Sequence, residues 1–335
     1  MKKKILFIGG SLNQTTMMHK ISKYFEDYDC YFTPFYDDGY IGWFASKGIL
    51  DFTILGGNFK KMTLEYLENN NLKIDYKGKR HDYDLVYTCA DLIVPKNIRN
   101  KKLILVQEGM TDPENFAFYL VKYFNFPRWI ASTSTMGMSN LYDIFCVASE
   151  GYKELFARKG ADPNKIFVTG IPNFDNAKEF LNNDFPHKNY VLVATSDTRE
   201  TFKYENRKKF IKKCVKIANG RQLIFKLHPN ENVERATREI NKYAPGALVY
   251  HNANTNHMIA NCDVLITKYS SVVYIGLALG KEVYSSFDIE ELKKLMPIQN
   301  NGTSAERIAK LGLHFLESPS NSLNEIHQNF DLITA

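Results

Sequence analysis

The feature that most constrains the fold of this chain is a repeated alternation of short, nearly uninterrupted apolar runs with amphipathic stretches. Strand-like runs span Lys4 to Gly9, Asp29 to Thr33, Leu85 to Thr88, Leu103 to Gln107 and Ile144 to Ala148. A second set spans Tyr190 to Ala194, Gln222 to Leu227, Leu248 to Tyr250, Val264 to Thr267 and Glu282 to Ser285. A strand covered by helices on both faces loses the polar alternation of a half-exposed one, so such runs predict parallel sheets wound on both sides. The chain has 335 residues, above the size at which a single core keeps growing. Two doubly wound α/β domains are therefore expected, each built on one set of five strands.

The boundary falls where Thr169-Gly170-Ile171-Pro172-Asn173 leads into the polar Asn182-Asn183-Asp184-Phe185-Pro186, a composition typical of a linker. This gives an N-terminal domain over residues 1–172, a linker over 173–187 and a C-terminal domain over 188–315. The segment 316–335 is left to pack back on the first domain. The apolar run after Met1-Lys2-Lys3-Lys4 is too short for a signal peptide, and no stretch approaches the roughly 18 apolar residues of a membrane span. A cytoplasmic location is expected, with peripheral contact at the inner membrane face as the other location the sequence allows. Five scattered cysteines give neither a disulfide framework nor a zinc spacing, and the histidines show no metal-ligand spacing. No metal or cofactor is expected. The formal charge of +6 is partly gathered in Asn206 to Lys216, which reads as a solvated helix face, with weak attraction to anionic lipid or nucleotide as the alternative. Nucleic acid is not an expected partner.

The chemistry is carried by two motifs of the second half. Phe225-Lys226-Leu227-His228-Pro229-Asn230 puts a histidine at the C-terminal end of a predicted parallel strand, the edge where open α/β sheets bind ligands. Pro229 stiffens the turn, and an imidazole there can donate a hydrogen bond to a phosphate oxygen. About forty residues on, Val264-Leu265-Ile266-Thr267-Lys268-Tyr269-Ser270-Ser271-Val272 reads as a buried strand, a hydroxyl-rich turn and a helix start. Hydroxyls and free amides there suit a phosphate, or Ser270 simply caps the helix. Gly-x-Gly-x-x-Gly does not follow the first strand, where Gly9-Gly10-Ser11-Leu12-Asn13 stands instead, so a dinucleotide-binding dehydrogenase is disfavoured.

Lys-Leu-His-Pro paired with Ile-Thr-x-Tyr-Ser-Ser-Val resembles the donor half of glycosyltransferase B enzymes that use cytidine-linked donors. Bacterial sialyltransferases, polysialyltransferases and β-Kdo transferases carry such motifs, as do the CDP-glycerol glycerophosphotransferases. The likeness implies two Rossmann-like domains facing each other across a cleft. It also implies that His228 meets the donor phosphate and that Ser270 and Ser271 contact phosphate. Two departures stand out: the glycerophosphotransferases usually have aspartate where this chain has Lys268, and their Trp-His-Gly motif is not found. In its place Gln107-Glu108-Gly109 looks like the acidic motif of the sialyl- and Kdo-transferases, with Gln107 replacing the first acid. Glu108, at a strand end, is the candidate general base. Asp37-Asp38-Gly39 is its competitor.

Smaller signals are Gly10 as a close-approach position in the first loop, and Thr195 and Ser196 in Thr195-Ser196-Asp197-Thr198-Arg199 as further donor contacts. Ser132 to Ser139 reads as a polar loop, either plain surface or a closing flap. The expected activity is transfer of a sugar from a nucleotide donor to a hydroxyl of a glycan or glycolipid. A CMP-linked ulosonic acid such as sialic acid or Kdo is the favoured donor. The alternatives are a CDP-glycerol or polyol phosphotransferase, an isomerase like the UDP-N-acetylglucosamine 2-epimerases, and a nucleotide-sugar binding module without turnover. The epimerases normally read Asp-Ser-Gly-Gly where this chain has Lys268-Tyr269-Ser270-Ser271.

Overall fold

The computed structural model describes residues 2–196, 198–200, 204–318 and 323–334. They divide into two compact units, Met1–Asp175 with Asn300–Ala335, and Asn176–Gln299.

The first unit holds β1 (Lys4–Gly9), α1 (Leu12–Ser22), β2 (Asp29–Pro34), α2 (Tyr40–Ser46), α3 (Gly57–Asn69), β3 (Leu85–Thr88), β4 (Lys102–Val106), α4 (Phe116–Phe124), β5 (Ile144–Val147), α5 (Glu150–Lys159) and β6 (Ile166–Val168). Its six strands are all parallel in the order β2-β1-β3-β4-β5-β6. The register follows from the apolar runs, with Ile5 opposite both Cys30 and Leu85. Residues Ile5 to Ile8 and Leu103 to Val106 are fully buried, as expected of strands covered on both faces. The three-residue strand β6 was not among the runs read from the sequence.

The second unit holds β7 (Val191–Ala194), α6 (Arg207–Ala218), β8 (Leu223–Lys226), α7 (Val233–Tyr243), β9 (Leu248–Tyr250), α8 (Thr255–Asn261), β10 (Val264–Ile266), α9 (Val273–Ala278), β11 (Glu282–Tyr284) and α10 (Ile289–Leu295). Its five parallel strands run β11-β10-β7-β8-β9. Phe210, Ile211 and Cys214 of α6 pack with Val191, Val193, Val264 and Ile266, while Ala236 and Ile240 of α7 join the same core. Both units are thus doubly wound and Rossmann-like. Each has a switch point where the chain reverses across its first strand, between β1 and β3 and between β7 and β10.

Two further helices, α11 (Ser304–Glu317) and α12 (Leu323–Thr334), complete the first unit. Ala305, Ile308, Leu311, Phe315 and Ile326 sit in one core with Phe7, Tyr87 and Ile104. The boundary drawn at residue 315 is therefore corrected to Asn300. The apolar face of α11 matches the first sheet, and a Cβ on Gly312 would collide with the Tyr87 hydroxyl.

The Ser132 to Ser139 stretch is not a solvent-exposed flap. Ser134 and Thr135 are fully buried, within a 3-10 stretch over Arg128–Thr135. Asp91 accepts the amides of Gly137 (3.0 Å) and Ser139 (3.1 Å), and Thr133 donates to Asp112 (2.9 Å). Thr133, Ser134 and Thr135 are thus satisfied internally, which composition alone did not reveal.

Candidate functional site

In the second unit the motif loops stand on three adjacent strands, since β7 pairs with both β10 and β8. His228 follows β8, Thr195 and Ser196 follow β7, and Ser270 and Ser271 follow β10. All three loops leave C-terminal strand ends around the switch point, where such sheets bind ligands.

His228 is half-buried and Pro229 exposed. Its Nδ1 accepts the Asn230 amide (3.2 Å), so the neutral ring carries its proton on Nε2 and presents that nitrogen as a donor. The backbone is held as firmly: the His228 amide donates to Thr195 Oγ1 (3.2 Å) and to Glu231 Oε2 (3.0 Å). Thr195 Oγ1 in turn donates to Glu231 Oε2. Thr195 thus ties β7 to the histidine loop, and its buried hydroxyl is committed within the protein. Ser196 Oγ lies 2.7 Å from Thr198 Oγ1, and Asp197 lies outside the described residues.

Beneath this loop runs a buried ionic network. Glu231, with a side chain 0% exposed, pairs with Arg207, Arg207 Nε lies 2.9 Å from Glu205, and Glu205 lies 2.8 Å from Lys268 Nζ. Arg199 makes a two-pronged contact with Glu239 (3.0 and 2.9 Å) and approaches Glu205 at 3.7 Å. Lys268, standing where the glycerophosphotransferases that the chain resembles usually have aspartate, is matched by Glu205, an opposite charge that sequence reading did not connect with it. Arg207 opens the lysine-rich helix α6, yet its side chain is only 4% exposed. A charged position of a helix whose charges were read as a solvated face is therefore internal.

Ser270 does not cap α9. That helix is six residues long with Val272 at its N-cap and no side-chain cap. Ser270 and Ser271 form the turn before it, their carbonyls accepting the amides of Val273 (3.2 Å) and Tyr274 (3.1 Å). Both residues are half-buried. Such a short helix has little dipole.

In the first unit, Gly10 and Glu108 come together at the start of α1. Ser11 caps the helix, and Gln14 Oε1 closes the capping box by accepting the Ser11 amide (3.3 Å) and also accepts the Gly10 amide (2.8 Å). That fixes the amide orientation, so Gln14 Nε2 donates to Glu108 Oε2 (2.6 Å) while Ser11 Oγ donates to Oε1 (3.0 Å). Burial pushes the Glu108 carboxyl above its ordinary value, and the bonds from Gln14 and Ser11 pull it partly back. A raised carboxyl is a stronger base once ionised. A Cβ at Gly10 would stand 2.6 Å from Gln14 Oε1 and 2.9 Å from Ile54 Cδ1, so both side chains would have to shift. Gln107, beside Glu108, donates to the Gly109 carbonyl (2.8 Å) and accepts the Ala148 amide (2.9 Å), which explains an amide in place of an acid. Asp37 accepts the amides of Gly39 (3.0 Å) and Gly42 (3.2 Å) at the start of α2, and Asp38 lies 3.5 Å from Lys79.

A sequence model of the CDP-glycerol:poly(glycerophosphate) glycerophosphotransferases matches residues 94–281. No curated protein sequence matches the chain. Among solved structures, it is similar to a UDP-N-acetylglucosamine 2-epimerase at 15% identity, covering 94% of this chain and 96% of that one, with a TM-score of 0.55. A Staphylococcus aureus MnaA–UDP structure matches at 12% identity over 96% of this chain and 100% of that one, with a TM-score of 0.56. The wall teichoic acid polymerase TagF matches at 13% identity over 99% of this chain and 82% of that one, with a TM-score of 0.48. At such identities the first two of these matches speak for the fold alone.

Proposed function

The chain belongs to the CDP-glycerol:poly(glycerophosphate) glycerophosphotransferase family, and from that premise we propose that it transfers a phosphate-linked polyol from a cytidine diphosphate donor to an acceptor hydroxyl. Membership makes it a transferase with two Rossmann-like units. The observation that carries the finer reading is the seating of His228 and of Ser270 and Ser271 around the β7/β10 switch point, with the histidine proton directed to Nε2. In the reaction, the acceptor oxygen attacks the phosphorus bearing the polyol, and the bond from that phosphorus to the bridging oxygen breaks. The electron pair leaves with CMP. His228 stabilises charge on the departing phosphate by a hydrogen bond, Ser270 and Ser271 hold the phosphate oxygens, and Glu108 takes the acceptor proton.

A second reading, transfer from a CMP-linked ulosonic acid to a glycan or glycolipid, is favoured by one observation. Glu108 stands in an acid-glycine motif where the glycerophosphotransferases carry Trp-His-Gly. Membrane contact fits either acceptor. No helix among the described residues is long and apolar enough to cross a membrane, but Phe116, Tyr123, Phe124 and Trp129 are 78%, 68%, 70% and 50% exposed. Exposed aromatics of this kind suit the interfacial layer of a bilayer.

Calorimetric titration of CDP-glycerol, a CMP-sialic acid and UDP-N-acetylglucosamine against the wild type and His228→Ala tests the donor. CDP-glycerol should bind best and lose about tenfold or more in the variant, the value of a charge-assisted hydrogen bond. Preference for the CMP-sialic acid would select the second reading, and preference for the uridine ligand would reject both.

A further inference from the structure

The carboxylate of Glu108 is held at both oxygens by the first turn of α1, and one of the two side chains that hold it can face only one way. We propose that this side chain, Gln14, is a positioning residue for the reaction: its amide fixes the Glu108 carboxylate in the orientation from which it takes the acceptor proton. The role rests on the reading of Glu108 as the base.

Gln14 is buried and stands at the third helical position of α1. Its Oε1 accepts the amides of Gly10 (2.8 Å) and Ser11 (3.3 Å). Turned over, the side-chain amide would set Nε2 against two backbone N–H groups and leave both without an acceptor. A buried donor left unpaired loses its full desolvation energy, so Nε2 must face Glu108, which it reaches at 2.6 Å. The Ser11 hydroxyl accepts the Gln14 backbone amide (3.2 Å) and gives its one proton to Glu108 Oε1 (3.0 Å). Each carboxylate oxygen thus carries one donor from α1 and keeps a lone-pair direction for an acceptor hydroxyl. The other titratable group facing Glu108 is the buried Cys89 thiol after β3, pushed well above its ordinary value by burial and by the Glu108 charge, and so neutral. Among the described residues no lysine, arginine or histidine shifts the Glu108 carboxyl. Its direction and basicity therefore hang on two donors, of which Gln14 makes the shorter bond. Helix capping alone would be served as well by glutamate as by glutamine, but only the amide can donate to a carboxylate.

Gln14→Glu keeps the capping oxygen and removes the donor, Gln14→Met removes both, and Gln14→Glu/Glu108→Gln exchanges acid and amide. Carboxyl titration is read by NMR of the full chain carrying carboxyl-labelled glutamate, with Glu108→Gln as the blank, and thermal unfolding is followed at pH 4 and pH 8. Neither measurement needs a substrate. In Gln14→Met the Glu108 titration should rise by about one pH unit or more, the equivalent of a lost charge-assisted hydrogen bond. In Gln14→Glu it should rise further and in two coupled steps. A carboxyl whose folded value is raised contributes stability below its unfolded value and loses it as pH rises through the folded one. Gln14→Glu should therefore melt near the wild type at pH 4 and several degrees lower at pH 8, while the exchange variant titrates as a single carboxyl and regains most of that loss. Wild-type melting of Gln14→Glu at both pH values, with an unmoved Glu108 titration, would reduce Gln14 to a cap and overturn the proposal. Release of CMP from CDP-glycerol, with glycerol as the acceptor hydroxyl, is followed against pH in the same variants. In Gln14→Met the acid limb should move up with the Glu108 titration while KM for CDP-glycerol stays within about twofold. A shifted titration with an unmoved acid limb would instead remove Glu108 as the base, and with it the role of Gln14 in the reaction.

Discussion

Glu231 is the residue on which the histidine loop depends, and its removal tests that dependence directly. Its carboxylate is fully enclosed and serves three partners at once: Arg207, the Thr195 hydroxyl and the His228 amide. Glu231→Ala would leave Arg207 buried with only Glu205 for compensation and would strand the His228 amide. Breaking a buried pair by deleting one partner costs about 3–5 kcal/mol, a large share of the roughly 5–15 kcal/mol that holds a domain together. At about 2–4 °C per kcal/mol, the second unit should melt roughly 6–20 °C lower. Glu231→Gln keeps an oxygen for the His228 amide and the Thr195 hydroxyl, so its loss falls on Arg207, at about 1.5–3 kcal/mol. Thermal unfolding followed by circular dichroism, beside titration of CDP-glycerol at a temperature where both variants are folded, separates the effects. The glutamine variant should bind within about threefold of wild type and the alanine variant about tenfold or more weaker. The reasoning fails if Glu231→Ala melts with the wild type, or if the two variants bind alike.

Glu108→Gln should remove most turnover while leaving donor affinity intact, because the glutamine can still accept from Gln14 and donate to Ser11; Asp38→Asn should be milder, and the reverse order would move the base to Asp38. The raised carboxyl of Glu108 favours the folded state below its unfolded value, and that contribution is lost as pH rises through its folded value. The acid limb of the rate profile should therefore lie above the ordinary glutamate range, and Glu108→Gln should melt higher than wild type at pH 8 but not at pH 4; equal melting shifts at both would discount the burial argument. For the membrane, Phe124→Ala/Trp129→Ala should reduce co-flotation with vesicles of mixed anionic and zwitterionic lipid several-fold; undiminished flotation would discard the aromatic surface as the contact.

The architecture was legible because its signal is local. Runs such as Ile5 to Ile8 need no partner to be read as buried strands, and the strand-end position of His228 follows from Phe225 and Leu227 before it. What stayed hidden depends on pairing across sequence distance. Glu231 lies three positions beyond His228 and reads as a loop acid, while Arg207 reads as one more cation of a basic helix. Only the fold shows that they neutralise each other and hold the histidine. The same blindness made Ser132 to Ser139 look like surface, since Asp91 that satisfies it lies more than forty positions away. At Gly10 and Glu108 the reading named both residues but not Gln14, the side chain that joins them.

The return of α11 and α12 to the first sheet has a consequence for the order in which the protein is made. Phe7, Tyr87 and Ile104 belong to a core that also needs Ile308, Leu311, Phe315 and Ile326. Synthesis runs from the N-terminus, and domains generally fold as units while it proceeds. The second unit, Asn176–Gln299, has all its strands and helices as soon as its own residues have left the ribosome. The first unit begins earlier and finishes later, with the apolar surface of β1, β3 and β4 waiting for helices translated after the entire inserted unit. The portion of this chain most exposed to chaperones and to aggregation during biogenesis is thus the one translated first.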